Sequence, residues 1–503
     1  MRRFTLLLLL LCVPGFGRAQ DAPPSPPVRG AASLSELQAQ LAAHLAQPRF
    51  AGAVWGVKVV SLDSGRPLFE QNPERRMSPA SNCKLYTAAL ALVRLGGDYR
   101  IHTPLLATAA VDAAGVLPGD LIISGRGDPG WNSRPSHGDF WAVFEPFVAV
   151  LRQAGVRSIR GDVVADATWL RSPPFGASWT ADDLNDYYGA ELSAVSLLDN
   201  FVELGVAPGP SVGKPGRIDL LSPCTGLELE NFTTTTAAGG EKFLLAQRLP
   251  GSARVQVYGR LPLGAAEERT EATVPRPAAW FAAGLAEALR RAGIEVRGRP
   301  RAVVWPEPSV HGTVRLGEIV SAPLRDLLAS LMKSSQNLET DLIFAQLGEQ
   351  RRQADTPEWV HSDELGVTAL EEFLREFALR PEEVNFNEGS GLSRNNLATP
   401  AAFVRLLEFM AGRPEADAFR AALPLAGKEG TLRKRLKGTP AEGNLRAKTG
   451  SLRWASALSG YVTSAAGEHL AFSVLLNRYQ AAPGHKAADE LDEIAVLLAS
   501  YGG

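Results

Sequence analysis

The sequence predicts an α+β protein, an antiparallel sheet flanked by helices, into which a mainly β region is inserted. Three observations indicate this fold. Apolar and polar residues alternate as in strands near the start of the chain, residues 50–68, and again near its end, residues 444–479. Helical patterns flank both segments. The middle of the chain, residues 103–308, is rich in Gly and Pro and carries many short strand patterns with few long helices.

The individual elements follow from local signals. The first segment is interrupted by Asp63-Ser64-Gly65, which predicts a β-hairpin, and the helix after it ends at Gly96-Gly97. The Ala466-Gly467 turn separates the two last strands. The remaining predicted elements are a helix at residues 81–95, helical segments at 324–347 and 365–376, strands at 457–462 and 470–476, and an acidic amphipathic helix at 487–498.

Size and composition narrow the possible functions. A chain of 503 residues predicts two or three domains. Lys and Arg number 52 and Asp and Glu 54, so the net charge of −2 gives no basic excess for binding nucleic acid. Three cysteines are present. Cys12 should leave with the N-terminal segment described below, and we interpret Cys83 and Cys224 as free thiols.

The N-terminus predicts export. Arg2 and Arg3 precede an apolar run, residues 4–13, and small residues at Gly17 and Ala19 suit cleavage after Ala19. We therefore expect a signal peptide at residues 1–19 and a flexible Pro-rich spacer at 20–30. An uncleaved anchor is the alternative, but the run is shorter than the ~20 residues that span a bilayer. No transmembrane anchor is expected after cleavage.

A serine and a lysine three positions apart form the first candidate site, within Ser81-Asn82-Cys83-Lys84. At a helix start this spacing puts both side chains on one face, with about 5–6 Å between their Cβ atoms. A lysine amine there can take the serine proton if burial or a second cation lowers its pKa. The spacing alone is weak evidence, because Ser211 and Lys214 repeat it among Pro and Gly residues.

Two further segments strengthen this interpretation. Ser335-Gln336-Asn337 supplies a hydroxyl and a carboxamide before an apolar helical run, and Lys448-Thr449-Gly450 lies in a predicted C-terminal strand. Neither segment is distinctive alone. Ser393-Arg394-Asn395 has the same Ser-x-Asn spacing, so the first segment could be an ordinary polar loop. The second could be the polar outer face of a strand. In this order, however, the three motifs are the signature of penicillin-binding proteins and class A β-lactamases.

Other hydrolase classes fit less well. The seven histidines show no His-Glu-x-x-His arrangement, so the sequence predicts no catalytic metal. An α/β-hydrolase would need Gly two positions before its nucleophile, whereas Glu388 stands two before Ser390.

With these motifs the chain resembles the D-alanyl-D-alanine carboxypeptidase/endopeptidase family of low-molecular-mass (class C) penicillin-binding proteins. The likeness covers nearly the whole chain after the signal peptide. Five further segments carry it: residues 125–129, 193–197, 389–393, 430–433 and 448–452. There are modest departures: Gln336 stands where Asp or Asn is frequent, Thr340-Asp341 where Ala-Glu is frequent, and Glu388 where an Asp usually precedes Gly-Ser-Gly.

The resemblance implies a penicillin-binding/serine β-lactamase-like domain with one accessory domain, or two nested ones, inserted into it. About half of the 503 residues separate Ser81 from Ser335, far more than a compact β-lactamase domain needs. We expect the penicillin-binding domain at residues 31–102 and 309–503, and the insert at 103–308. Family members place an aspartate of the insert near the amine of the substrate side chain. Asp166, at the end of a strand pattern, matches that position, although an aspartate that caps a turn is equally consistent.

The expected catalytic roles follow from acyl transfer. Ser81 is the nucleophile and Lys84 the general base, kept neutral by like-charge repulsion from Lys448. Ser335 passes a proton to the leaving nitrogen, and Asn337 holds the peptide amide.

The remaining residues are expected to bind the substrate. Lys448 and Thr449 bind the terminal carboxylate, and Gly450 lets the substrate lie along the strand edge. The backbone amides of Ser81 and Ser451 form the oxyanion site.

The sequence thus predicts a serine-type D-Ala-D-Ala carboxypeptidase or D,D-endopeptidase that acts on peptidoglycan stem peptides without a cofactor. β-Lactams are its expected covalent inhibitors, and the periplasm or another extracytoplasmic wall space is its expected location. Two alternatives remain: a serine β-lactamase or esterase of the same superfamily, and a non-catalytic peptidoglycan-binding protein.

Overall fold

The structure, a computed structural model, describes residues 30–132, 138–249, 251–380 and 382–503. The predicted signal peptide, residues 1–19, and nearly all of the predicted spacer lie outside these ranges. Within them, no helix has the length and apolar character that crossing a bilayer requires.

The described residues form ten α-helices. They are α1 (Leu34–Leu45), α2 (Lys84–Leu95), α3 (Glu145–Gln153), α4 (Pro277–Arg291), α5 (Leu324–Ser334), α6 (Asn337–Glu349), α7 (Ser362–Arg375), α8 (Pro400–Ala411), α9 (Ala416–Ala422) and α10 (Ala487–Ala499).

The strands are short, as the sequence predicts for the middle of the chain. They are β1 (Val54–Ser61), β2 (Pro67–Gln71), β3 (His102–Ala107), β4 (Val116–Leu117), β5 (Leu121–Ser124), β6 (Ser158–Ile159), β7 (Val163–Asp166), β8 (Phe201–Ala207), β9 (Arg217–Leu220), β10 (Glu228–Thr236), β11 (Phe243–Arg248), β12 (Arg254–Pro262), β13 (Glu268–Thr273), β14 (Glu295–Val296), β15 (Pro300–Val303), β16 (Val314–Val320), β17 (Val384–Asn385), β18 (Leu397–Ala398), β19 (Arg446–Leu452), β20 (Ala455–Thr463) and β21 (His469–Asn477).

Strands from the two ends of the chain form one five-stranded antiparallel sheet, in the order β19–β20–β21–β1–β2. Because side chains alternate along a strand, Val57 and Val59 of β1 face one side, where they pack in one cluster with Leu37 of α1 and residues of α10. Ala471 and Leu475 of β21 pack in the cluster on the other side with residues of α2 and α8. The predicted antiparallel sheet flanked by helices is confirmed.

The middle of the chain forms further sheets. One has five strands in the order β15–β7–β5–β3–β16, and three have three strands each. Phe147 of α3 and Phe281 of α4 pack in one cluster with Leu105, Ile123 and Val163 of the five-stranded sheet. This matches the predicted mainly β insert. The predicted domain boundaries stay predictions, and β16, which pairs with β3, lies beyond the expected end of the insert at residue 308.

The structure differs from the predicted helices at two of the three motifs. The helix expected from residue 81 begins with a 3₁₀ turn, Ala80–Cys83, and α2 starts at Lys84. The helical segment expected at 324–347 is broken into α5 and α6. Ser335 ends α5 in the left-handed region, with φ of 61°, and the Gln336 backbone amide donates to the Leu331 carbonyl at 3.0 Å. These features form a Schellman motif at the C-terminus of α5, with Ser335 at the position where glycine is usual. Because no glycine marks the position, the end of the helix was not recognisable in the sequence.

The two cysteines among the described residues do not form a disulfide with each other. Cys83 is buried in the first turn of the serine motif, and Cys224 is half-buried. Both are free thiols, as predicted.

Candidate active site

The three predicted motifs meet at one cleft of about 690 Å³. Ser81, Ser335, Asn337, Thr449 and Ser451 line it. The two lysines of the motifs, one on α2 and one on β19, are fully buried. Two serine hydroxyls, a carboxamide, two amines and a strand edge are therefore brought together from three distant parts of the chain.

The amine of Lys84 has three close partners. Its Nζ lies 3.0 Å from Ser81 Oγ, 2.6 Å from Asn337 Oδ1 and 2.5 Å from the Ser390 carbonyl oxygen. The Asn337 amide nitrogen donates to the Tyr188 carbonyl at 2.8 Å, which fixes the oxygen toward the lysine. A neutral amine has two N–H groups and one lone pair. Two of its partners can only accept, so the lone pair is left for the Ser81 hydroxyl.

Burial is what favours the neutral form of Lys84. It lowers the pKa of this amine to about 8, against the opposing negative charges of Asp341 and Glu388. The expected repulsion acts instead on Lys448, whose pKa falls well below its ordinary value through burial first and the charge of Lys84 second. Two buried amines in one site thus both tend toward the neutral state, with burial as the larger cause for each.

Lys448 connects the third motif to the second. Its Nζ donates to Ser335 Oγ at 2.8 Å and to the Thr449 carbonyl at 2.8 Å. The left-handed backbone at Ser335 turns the chain between α5 and α6, where this serine faces the cleft. The hydroxyl of Ser335 therefore has a buried proton donor behind it. Thr449 is bonded to the Thr431 hydroxyl at 2.8 Å.

Gly450 is required by close packing. A Cβ at this position would lie 2.6 Å from the Pro79 carbonyl oxygen and 3.1 Å from the Ala80 Cβ. β19 is the edge strand of its sheet. At Gly450 its backbone lies directly against the turn that carries Ser81. Any side chain larger than hydrogen would push the strand away from the nucleophile.

The structure does not place Asp166 at the cleft. Its Oδ1 accepts from the Thr168 amide at 3.0 Å and the Thr168 hydroxyl at 2.7 Å, and its Oδ2 accepts from the Ser309 hydroxyl at 2.6 Å and the Val310 amide at 3.0 Å. The residue is 2% exposed. Asp166 thus caps the turn after β7 with both carboxylate oxygens hydrogen-bonded, and it is not among the residues that line the cleft. Its expected contact with a substrate amine stays a prediction.

Sequence reasoning missed the part of the insert that does reach the cleft. Residues 180–188 line one wall without forming a regular helix or strand longer than a 3₁₀ turn. Asp183 is buried and pairs with Arg394 at 2.7 Å, whereas the side chain of Asp182 is 79% exposed and lies 3.6 Å from Arg453. The signal available in the sequence was the acidic pair Asp182-Asp183, which lies a few residues before Tyr187-Tyr188. The other wall residues not foreseen are Thr180, Ser334, Gly391, Leu392, Thr431, Leu452 and Trp454.

This combination of fold and site defines the class of active-site serine enzymes that comprises penicillin-binding proteins and serine β-lactamases. The model of the D-Ala-D-Ala carboxypeptidase 3 (S13) family matches residues 37–498. The chain therefore belongs to that family, as its motifs predicted.

Individual relatives agree with this assignment. A D-alanyl-D-alanine carboxypeptidase of Actinomadura sp. is 35% identical over 94% of this chain and 86% of the relative. The crystal structure of penicillin binding protein 4 from Haemophilus influenzae matches with a TM-score of 0.77 and 26% identity, over 93% of this chain and 100% of that one. A second structure of that protein, complexed with a novel β-lactam, matches with a TM-score of 0.71 and 25% identity, over 92% and 97% of the two chains.

Proposed function

We propose that this protein is a serine-type D-Ala-D-Ala carboxypeptidase, with D,D-endopeptidase activity on cross-linked stem peptides, and that β-lactams acylate it at Ser81. The observation that carries this proposal is the contact between the Lys84 amine and the Ser81 hydroxyl, with the other two amine partners restricted to accepting. Membership of the S13 family supports the substrate class.

The acylation step uses the first motif. Ser81 Oγ attacks the carbonyl between two D-alanines while its proton passes to the Lys84 lone pair, so that a C–O bond forms and the Lys84 amine becomes an ammonium. The developing oxyanion requires preorganised N–H donors, and we assign this role to the backbone amides of Ser81 and Ser451. Collapse of the tetrahedral intermediate breaks the C–N bond and leaves an ester on Ser81.

The leaving nitrogen needs a proton. The Ser335 hydroxyl receives a hydrogen bond from Lys448 and lines the cleft, which supports its role as the donor to the departing amine. The terminal carboxylate of the substrate would lie by Lys448 and Thr449, where its negative charge would favour the ammonium form of that lysine. For the protons to balance, the Lys84 ammonium then gives its proton back to Ser335, which leaves Lys84 neutral. Water attacks the ester while its proton passes to Lys84, and that proton goes on to Ser81 Oγ as the ester C–O bond breaks.

Asp182 takes the place that the sequence analysis gave to Asp166. It is an exposed acidic residue of the insert at the wall of the cleft, where its ion pair with Arg453 is open to solvent, whereas its neighbour Asp183 is buried against Arg394. An exposed carboxylate at the wall of a cleft suits an amine on the third residue of a stem peptide.

Peptidoglycan as substrate implies a location outside the cytoplasmic membrane. The predicted signal peptide at residues 1–19 supports export to the periplasm or the wall space. The protein would work there as a hydrolase.

Incubation of the protein with a synthetic stem pentapeptide tests this function. We expect free D-alanine in stoichiometric amount with the tetrapeptide, and no release by Ser81→Ala. A β-lactamase would instead turn over penicillin rapidly and release no D-alanine, and a non-catalytic binder would do neither. Ser211→Ala, in the second Ser-x-x-Lys segment, is the matched control and should retain full activity.

A further inference from the structure

Two buried carboxyl groups lie behind the catalytic lysine and have no role in the mechanism above. Asp341, on α6, is 6% exposed and Glu388, in the loop before Gly389, is 3% exposed. Both lie close enough to Lys84 that a negative charge on either would raise the pKa of this amine. Buried acids are costly unless they are paired or hydrogen-bonded, so this cluster calls for an explanation.

The two carboxyl groups are hydrogen-bonded very differently. Glu388 Oε1 accepts from the Gly391 amide at 2.8 Å, the Ser393 amide at 3.3 Å and the Asn396 side chain at 2.5 Å. Glu388 Oε2 accepts from the Ser390 amide at 3.1 Å and from the Ser390 hydroxyl. This set of donors stabilises a carboxylate.

Asp341 has far fewer donors. Its Oδ1 accepts from the Gly389 amide at 3.0 Å. Its Oδ2 is buried and receives no backbone N–H among the described residues, and the side chains of Ser390 and Glu388 are the groups within hydrogen-bonding reach of this carboxyl. Burial and the charge of Glu388 raise the pKa of Asp341 well above its usual value, against the charge of Lys84. When two acids interact so closely, one proton is held between them. The hydrogen bonds place that proton on Asp341 and the negative charge on Glu388.

The loop that these acids bind reaches the catalytic centre. The Ser390 carbonyl accepts from Lys84 Nζ at 2.5 Å, and the Thr87 hydroxyl donates to the Gly389 carbonyl at 2.9 Å. Gly391 has a φ of 91°, and a Cβ there would lie 2.0 Å from the Ala80 carbonyl oxygen. The loop thus packs under the turn that carries the nucleophile, and its amides point back at the acids.

We propose that Asp341 and Glu388 form a buried acid–carboxylate pair that positions the general base. The pair fixes the loop so that the Ser390 carbonyl stays on the Lys84 amine, and its single negative charge balances the positive charge that Lys84 gains on taking the Ser81 proton. This inference rests on the proposed acylation of Ser81. The two acids are positioning residues, since neither touches the reacting atoms.

The acylation rate constant with a fluorescent penicillin, measured against pH, tests the pair. The titratable groups that face Lys84 are Asp341 from α6, Glu388 from the loop, Cys83 from its own turn and Lys448 from β19. Glu388→Gln removes the negative charge that favours the ammonium form of Lys84. The pH range over which the acylation rate rises should therefore shift about one pH unit lower. Its plateau should fall at least about tenfold, because the loop is no longer held. Asp341→Asn mimics the protonated acid and should leave the rise where it is.

Two outcomes would overturn the proposal, and a third variant serves as the control. The first is a Glu388→Gln variant whose acylation rate and pH dependence equal those of wild type. The second is an Asp341→Asn variant whose pH–rate curve shifts along the pH axis as far as that of Glu388→Gln. Asp363→Asn is the matched control, because this half-buried acid of α7 bonds Ser172 and lies across a small cavity from the pair. It should leave both the rate and its pH dependence unchanged.

A second set of variants covers the case in which Glu388→Gln does not fold. Glu388→Asp should lower the rate at least about tenfold, because its carboxylate is pulled back from the loop amides. Adding Asp341→Glu should restore most of that rate, and failure of the double variant to recover would contradict the pair. Absence of labelling in the wild type would instead refute the proposed function itself.

Discussion

At the scale of single residues, the site is governed by two amines that are buried in the same place. Lys84 and Lys448 are both fully buried, one bonded to the Ser81 hydroxyl and the other to the Ser335 hydroxyl. In the proposed mechanism each amine serves one serine: Lys84 removes a proton from the nucleophile, and Lys448 stands behind the donor to the leaving group. Burial makes the proton transfer possible, because an exposed lysine would remain charged at neutral pH.

The pH dependence of acylation follows from this. Lys84 is the base only when neutral, and its pKa is lowered to about 8. The acylation rate constant should therefore rise with pH, level off above about pH 8, and fall about tenfold per unit well below it. Stopped-flow measurements with a fluorescent penicillin over mildly acidic to mildly alkaline pH would record this. A rate that is flat or that falls with rising pH would show that Lys84 is not the base.

At the scale of elements, the edge strand β19 and the turn before α2 must stay in contact. Gly450 provides that contact, since a Cβ would approach the Pro79 carbonyl oxygen to 2.6 Å. Gly450→Ala should displace β19 and lower the acylation rate at least about tenfold, because small misplacements are costly in such sites.

Gly52→Ala is the control for this substitution. A Cβ at Gly52 meets nothing within 4 Å, so the variant should acylate at the rate of wild type. Thermal unfolding of both variants separates loss of the site from loss of the fold. Normal acylation of Gly450→Ala would contradict the tight contact between strand and turn.

The strands at both ends of the chain and α10 were predictable from strand patterns and amphipathic periodicity, whereas several helices, among them α1, α4 and α8, were not foreseen. The break at Ser335 was not predicted either, because the left-handed conformation that ends α5 is adopted by a serine and not by the usual glycine. The 3₁₀ turn at Ala80–Cys83 was likewise predicted as ordinary helix. Both deviations set the direction of a reactive hydroxyl.

At the scale of the whole molecule, the insert helps to build the site. The Tyr188 carbonyl accepts from Asn337, and the Asp199 carboxylate accepts from Gln336 at 3.1 Å. Two residues of the second motif are thus held by the insert. Loop residues 180–188 also form one wall of the cleft, with Asp182 exposed there.

The charge of Asp182 predicts a substrate preference. Asp182→Asn should raise KM several-fold for stem peptides whose third residue carries a free amine, and leave kcat nearly unchanged, because an exposed ion pair contributes only about 0.2–1 kcal/mol. Peptides with that amine acetylated are the matched substrates. If the variant discriminates between the two substrates as the wild type does, Asp182 does not bind the amine.

The contribution of the insert was the least predictable part of the site. An aspartate was expected at the end of a strand, where a sequence pattern could locate it, and Asp166 was chosen. Asp182, which we propose for that role, lies in an irregular segment. The position of this segment depends on contacts with distant parts of the chain, such as the ion pair between Asp183 and Arg394, which are more than two hundred residues apart. Local periodicity carries no information about such a contact. The Ser-x-x-Lys, Ser-x-Asn and Lys-Thr-Gly motifs were recognisable because their spacing is fixed by one turn or one strand.

Peptide mapping by mass spectrometry after brief reaction with penicillin tests most directly whether the three motifs make Ser81 a nucleophile. We expect one penicilloyl group per chain, on the peptide that contains Ser81, and none on Ser81→Ala. A penicilloyl group on Ser335, Ser390 or another residue, or persistent labelling of Ser81→Ala, would contradict the account.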